Sequence, residues 1–280
     1  MITVLPENGL CNRMLAIASG RALAAEVNQE MQIIWNEDRC LGASFKDLFC
    51  PILGVRVKDI RWNESLLDRL QYPYLCFTER PLLDKLSKFM RSLVYDRVVR
   101  SQELHKSLLS GQYGAALLFG SQRTLLLAYE AFHSGAETFL RSFQPLPSLM
   151  EIVDRETRCF SHNIVGVHIR RTDHHGAISM SPIDEFERRL AKEIEADRSV
   201  MFFLATDCPD TETKIKNRFG ERVIIRERCR RRDTVPGMQD ALVDLYLLSR
   251  TKKILGSCGS TFSGTAGMLG GIPLVTVVET

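Results

Sequence analysis

The C-terminal half of the chain alternates short, continuously apolar runs with helix-length segments. No other feature limits the available folds as much. Runs at 164–169 (IVGVHI), 200–205 (VMFFLA), 222–225 (RVII), 252–255 (KKIL) and 273–278 (PLVTVV) read as strands, and helical patterns at 183–196, 209–219, 239–250 and 262–269 fill the gaps. Strands apolar on both faces must be covered on both, and intervening helices supply the cover. The pattern therefore predicts a parallel α/β sheet. The longest uncharged stretch, Ile254–Val278, has the length of a membrane span but holds six glycines and Pro273. It reads instead as loop, short helix and buried strand.

The N-terminal half starts in the same way. Residues 2–5 are apolar, Pro6-Glu7-Asn8-Gly9 breaks the run, a helical pattern covers about 12–27, and 31–35 (MQIIW) reads as a second strand. Further on, runs at 55–60, 72–77 and 115–119 are candidate strands, and Leu82–Arg100, alternating basic and apolar residues, is expected to be helical. Two prolines within 141–150 mark an interdomain hinge, giving domains 1–145 and 146–280. A length of 280 residues accommodates one large domain or two ordinary ones.

An apolar content of 45% is enough for a real core, and 37 Lys plus Arg against 34 Asp plus Glu is too balanced for a nucleic-acid binder. The opening MITVLPENGL has neither a basic region nor a long apolar core, so no signal peptide is expected. The eight cysteines show no C-x-x-C pair and no zinc spacing with histidine. They read as reduced thiols of a cytoplasmic protein.

In open parallel sheets, ligands bind beyond the carboxyl ends of the strands. The run at 164–169 delivers His168, Arg170, Arg171, Thr172, Asp173, His174 and His175 to that edge. Guanidinium forks suit phosphate oxygens, and the imidazoles titrate near neutral pH. The run at 200–205 delivers Thr206 and Asp207, where Asp207 either meets a ligand or merely caps the next helix. After 252–255 comes GSCGSTFSGT, from Gly256 to Thr265, whose glycines and hydroxyls at a helix start suit an anion. It is neither a Walker loop nor G-x-G-x-x-G. Asp244 sits among Val243, Leu245 and Tyr246 on an apolar helix and needs a partner, either a ligand's N–H or O–H groups or an arginine. There is no D-x-D and no H-E-x-x-H, so a diphosphate here is neutralised by arginine and a helix terminus rather than by a metal ion. The six arginines of Arg222–Arg232 form either an exposed loop or a flank of the nucleotide site.

Gly166-Val167-His168-Ile169-Arg170-Arg171-Thr172-Asp173 resembles the H-x-R-R-T-D segment of the α1,6-fucosyltransferases of N-glycan cores and bacterial nodulation factors. Ser181–Phe186 resembles their H-P-I-E-E-Y stretch, Phe203–Asp207 their Y-L-A-T-D, Asp240–Ser249 their D-x-x-x-L-S helix end, and Gly256–Ser263 their T-F-S-S loop. Asn8-Gly9-Leu10-Cys11-Asn12-Arg13 resembles the G-G-x-G-N-[RQ] loop of the wider fucosyltransferase superfamily, with Asn8 and Cys11 in place of glycines. The resemblance implies a GT-B-like architecture of two Rossmann-like domains facing across a cleft, the N-terminal one on the acceptor side. It also implies a GDP-fucose donor, inversion at the anomeric carbon, no metal or other cofactor, and a glycan or glycoconjugate acceptor.

On this reading Arg170 binds the β-phosphate, Asp244 the nucleoside, and Ser260, Thr261, Phe262 and Ser263 the phosphates. Asn12, Arg13, His168, Arg171 and Asp207 complete the expected donor-binding set. Where the eukaryotic core enzymes carry a glutamate and a lysine after the motif, this chain has Ile178 and His174. That leaves Asp173, His174 and His175 as candidate bases beside Arg170. A different nucleotide-sugar donor, or a degenerate nucleotide- or sugar-binding protein, is the alternative.

Overall fold

The computed structural model describes residues 1–61, 66–72, 81–100, 103, 122–172 and 175–279. The chain divides into two compact units. The first comprises Met1–Leu146 with Arg231–Gln239, and the second Pro147–Arg230 with Asp240–Thr280.

The first unit contains β1 (Ile2–Pro6), α1 (Leu10–Glu26), β2 (Met31–Asn36), β3 (Val55–Ile60), α2 (Leu66–Gln71), α3 (Pro81–Val94), β4 (Arg97–Arg100), β5 (Thr124–Ala128) and α4 (Ala136–Leu140). All strand pairs are parallel, in the order β3-β2-β1-β5-β4. Every residue of β1 is buried, as its unbroken apolar run requires. Helix α1 packs so closely on β1 that a Cβ on Gly20 would lie 2.4 Å from a Val4 methyl. The indole of Trp35 at the end of β2 packs edge-on to Phe45 and Phe49, with ring centroids 5.4 and 6.4 Å away, and donates to the Ala43 carbonyl at 2.9 Å.

Two expectations change here. The segment Leu82–Arg100 is not one helix: α3 stops at Val94 and 97–100 is strand β4. The break comes from long-range bonds, because the Asp96 carboxylate accepts the backbone N–H groups of Gln122 and Arg123 at 3.1 and 2.8 Å. These bonds set β4 beside β5, a strand that the sequence reading did not anticipate. Of the run 72–77 only Tyr72 is described, and it follows α2; the run 115–119 lies outside the described residues.

The second unit contains α5 (Pro147–Thr157), β6 (Ile164–Ile169), α6 (His175–Met180), α7 (Ile183–Ala196), β7 (Met201–Thr206), α8 (Pro209–Phe219) and β8 (Val223–Ile224). Helix α9 (Val235–Ser249), β9 (Ile254–Ser257), α10 (Thr261–Gly270) and β10 (Leu274–Val277) follow. Its sheet is also parallel, ordered β10-β9-β6-β7-β8. The core includes Val165, Val167, Ile169, Phe186, Leu190, Phe202, Leu204 and Leu255.

The segment Arg231–Gln239 falls in the expected 146–280 domain but packs with the first unit. The Gly42 N–H donates to the Arg232 carbonyl at 2.7 Å, and the Gln239 amide donates to the Asp47 carbonyl at 2.9 Å. A Cβ on Gly42 would lie 2.2 Å from the Asp233 backbone, so the approach requires glycine there.

Each unit is thus a Rossmann-like α/β layer with helices between parallel strands. Ile254–Val278 resolves into β9, α10 and β10. Among the described residues no helix is long and apolar enough to cross a membrane.

Candidate functional site

In the second sheet the strand order reverses between β6 and β9, the topological switch point at which such sheets hold ligands. Both carboxyl ends carry residues singled out by the sequence. Strand β9 runs into Ser257-Cys258-Gly259-Ser260, and α10 begins at Thr261. Gly259 turns the chain with φ +67°, a conformation that favours glycine. Ser260 caps α10, its hydroxyl accepting the Ser263 N–H at 3.4 Å. Gly256 keeps β9 close to that turn, since a Cβ there would lie 2.6 Å from the Ser263 hydroxyl.

His168, on β6, is held from the same helix start. Its Nδ1 lies 2.8 Å from the Ser263 Oγ and 3.2 Å from the Ser260 Oγ, and its ring stacks on Phe262 at 4.8 Å. The Arg170 backbone N–H donates to the Ser257 hydroxyl at 3.1 Å, so the residue directly beyond β6 is tied to the end of β9. The structure therefore brings together His168, Arg170, Ser260, Thr261, Phe262 and Ser263. Ser257 and Ser181 also belong to this frame, although the sequence gave no reason to choose them. The Ser181 hydroxyl accepts the Cys258 N–H at 2.8 Å and donates to the Val277 carbonyl.

Arg171 and Asp207 shape the turn after β6. The Asp207 carboxylate accepts the Arg171 N–H at 2.7 Å and the Thr172 hydroxyl at 2.7 Å. The Arg171 guanidinium turns back to the Ile178 and Ser181 carbonyls at 3.1 and 2.5 Å. Burial draws that guanidinium below its ordinary pKa, while Asp207 pulls it up. Asp173 and His174 lie outside the described residues, and His175 opens α6.

Asp244 finds arginines as its partners. It is buried on α9 and meets the Arg226 and Arg228 guanidiniums at 3.1 Å each. Burial pushes its carboxyl up, and Arg228 and Arg226 work against that. Burial tends to lower the Arg226 pKa, but Asp244 and Asp240 hold it above its ordinary value.

This corrects the reading of Arg222–Arg232 as an exposed loop. Extended backbone turns alternate side chains to one face. Arg226, Arg228 and Arg230 reach Asp240 at 2.6 Å, Glu212 at 2.8 Å and Glu212 at 2.5 Å respectively. Three guanidiniums face the three carboxylates of Asp240, Asp244 and Glu212, so the segment is internally neutralised. The i, i+2 spacing of the arginines was the sequence signal for it.

In the first sheet the order reverses between β1 and β5. Asn8, beyond β1, has φ +68°. The Asn12 amide donates to the Tyr129 carbonyl at 2.6 Å, tying α1 to the end of β5. Arg13, expected to face a donor, is fully buried and turned to its own unit. It donates to the Asn8 carbonyl at 2.8 Å and to the Asn36 carbonyl, pairs with Asp38, and lies 5.2 Å from the Trp35 ring. Glu7, which the sequence reading passed over, stands at the same switch point. Burial raises its carboxyl pKa, opposed by the charges of Arg91, Arg100 and Arg13.

No protein-family model and no curated protein matches the chain. Solved structures do. The α1,6-fucosyltransferase NodZ soaked with GDP-fucose aligns over 98% of this chain and 94% of its own, at 18% identity and a TM-score of 0.64. A FUT1 variant from Arabidopsis thaliana in complex with GDP aligns over 100% of this chain and 71% of its own, at 18% identity and a TM-score of 0.60. POFUT1 in complex with GDP aligns over 99% and 98%, at 11% identity and a TM-score of 0.57. At these identities the likeness is one of fold. The chain has the GT-B-like fold of these fucosyltransferases, built from two Rossmann-like units.

Proposed function

We propose that the chain is an inverting, metal-independent glycosyltransferase that transfers fucose from GDP-fucose to a glycan or glycoconjugate. The observation that carries this reading is the switch point of the second unit, where Arg170 and the hydroxyl-rich start of α10 are bonded into one frame. The fold, shared with proteins solved with GDP or GDP-fucose, supports the donor class.

In this reaction the acceptor oxygen forms a bond to the anomeric carbon as the bond to the β-phosphate oxygen breaks. Negative charge grows on the departing GDP and is met by the Arg170 guanidinium and the N–H groups opening α10. His168 and Ser257 position those groups. The acceptor's proton goes to a base. Asp173, His174 and His175 are candidates, and Glu7 joins them because burial makes its carboxylate more basic than an ordinary one.

Calorimetry with GDP, UDP, ADP and CDP tests the donor, with GDP expected to bind most tightly and EDTA to leave binding unchanged. Equal binding of all four, or none, overturns the assignment. A second reading, a degenerate binding protein, is favoured by Ile178 at the position of the family's glutamate. GDP-fucose binding without hydrolysis or transfer supports that second reading.

A further inference from the structure

Helix α3 is amphipathic in the inverted sense. Its inward side is polar: Ser87 is fully buried and Arg91 is 6% exposed. Its outward side is apolar: Leu82 is 80% exposed, Leu93 64%, Phe89 60% and Leu86 41%. At 3.6 residues per turn these four side chains fall within an arc of about 60°, opposite Ser87 and Arg91. Leu67, on the adjoining α2, is exposed as well. Lys85 and Lys88 are exposed and lie on one flank of the apolar stripe. A contiguous apolar stripe of this kind marks a contact surface.

We propose that α3 docks the protein on an anionic lipid surface. Leu82, Leu86, Phe89 and Leu93 enter the boundary between headgroups and acyl chains, while Lys85 and Lys88 meet headgroup phosphates. The dimensions fit: 14 residues span about 21 Å, too short to cross a bilayer and suited to lying in its plane. The charge favours lipid over a second copy of the chain. Apposing two copies of the stripe brings lysines against lysines, whereas an anionic surface pairs the apolar stripe and its basic flank at once. The inference is independent of the donor assignment, and either can fail alone.

The test is co-sedimentation of the full chain with phosphatidylcholine vesicles, with and without phosphatidylglycerol. Binding is expected only to the anionic vesicles and weakens with salt. Lys85→Ala combined with Lys88→Ala should weaken it about thirtyfold, and Phe89→Ser should weaken it at least about tenfold. Melting temperature and GDP calorimetry should stay at wild-type values in the lysine variant, which alters only exposed side chains. Absent binding, equal binding to both vesicle types, or a dimer in light scattering that Phe89→Ser dissolves overturns the proposal.

Discussion

The two switch points share a topology and differ in chemistry. In the first unit the guanidinium nearest the central strand, Arg13, is sealed against Asp38, two backbone carbonyls and the Trp35 ring. In the second unit the residue beyond the central strand, Arg170, is fixed through its backbone N–H, and the neighbouring contacts are neutral: hydroxyls, an imidazole and a phenyl ring. A buried guanidinium needs a dedicated carboxylate and cannot leave it cheaply. A neutral hydroxyl frame with a helix start can accept an anion without losing an ion pair. The contrast argues that the first switch point is a structural lock and the second a binding site.

The strongest challenge to that contrast is to unlock the first site. Asp38→Asn leaves Arg13 buried without its counter-charge and should cost about 3–5 kcal/mol of stability, read from urea denaturation. Near-wild-type stability would mean that Arg13 is not a lock and could serve a ligand.

On the other side, Arg170→Lys keeps the charge and loses the fork. Turnover should fall roughly 10²–10³-fold, about 3–4 kcal/mol, with an unchanged melting temperature. Arg171→Lys should instead lower the melting temperature, because it removes the hold on the Ile178 and Ser181 carbonyls. If the two variants exchange these effects, the phosphate role belongs to Arg171.

A smaller effect sharpens the picture of the neutral frame. Ser263→Ala removes the 2.8 Å partner of His168 but leaves Ser260 at 3.2 Å. The stability loss should be about 1 kcal/mol, with weakened GDP binding by calorimetry. A much larger loss would show that the Ser260 hydroxyl does not compensate.

The smallest expected effect concerns Glu7. Its carboxyl is raised above the ordinary 4.5, so the folded state holds that proton more tightly than the unfolded state does. The wild type therefore loses stability as pH rises from 4.5 through the raised value. Glu7→Gln, which stays neutral, should match wild type in acid and become slightly more stable above that window, by thermal melts across pH. The opposite sign would place a cation in contact with Glu7.

Much of the second unit was legible because its strands are locally unmistakable. IVGVHI became β6 at 164–169, and the patterns at 183–196 and 209–219 became α7 and α8 without change. The switch-point residues were legible too, since glycine and hydroxyl clusters at a strand end carry their own chemistry. The first unit resisted beyond β3. Strand β4 is four residues, Arg97–Arg100, with charged ends, and its pairing depends on Asp96 reaching Gln122 and Arg123. No local period records such a contact.

The sequence by itself determined the class of fold, the parallel sheet of the C-terminal half and the polar residues at its strand ends. Each of these follows from local periodicity and from the side chain a strand end presents. Only the tertiary structure decided which of those side chains are occupied by their own chain. Arg13 and Arg170 look alike in sequence, as do Asp207 and Asp244. Their fates separate because burying a charge compels a partner from elsewhere: Asp38 for Arg13, and Arg226 with Arg228 for Asp244. That partner comes from 16 to 25 residues away, farther than any local pattern reaches.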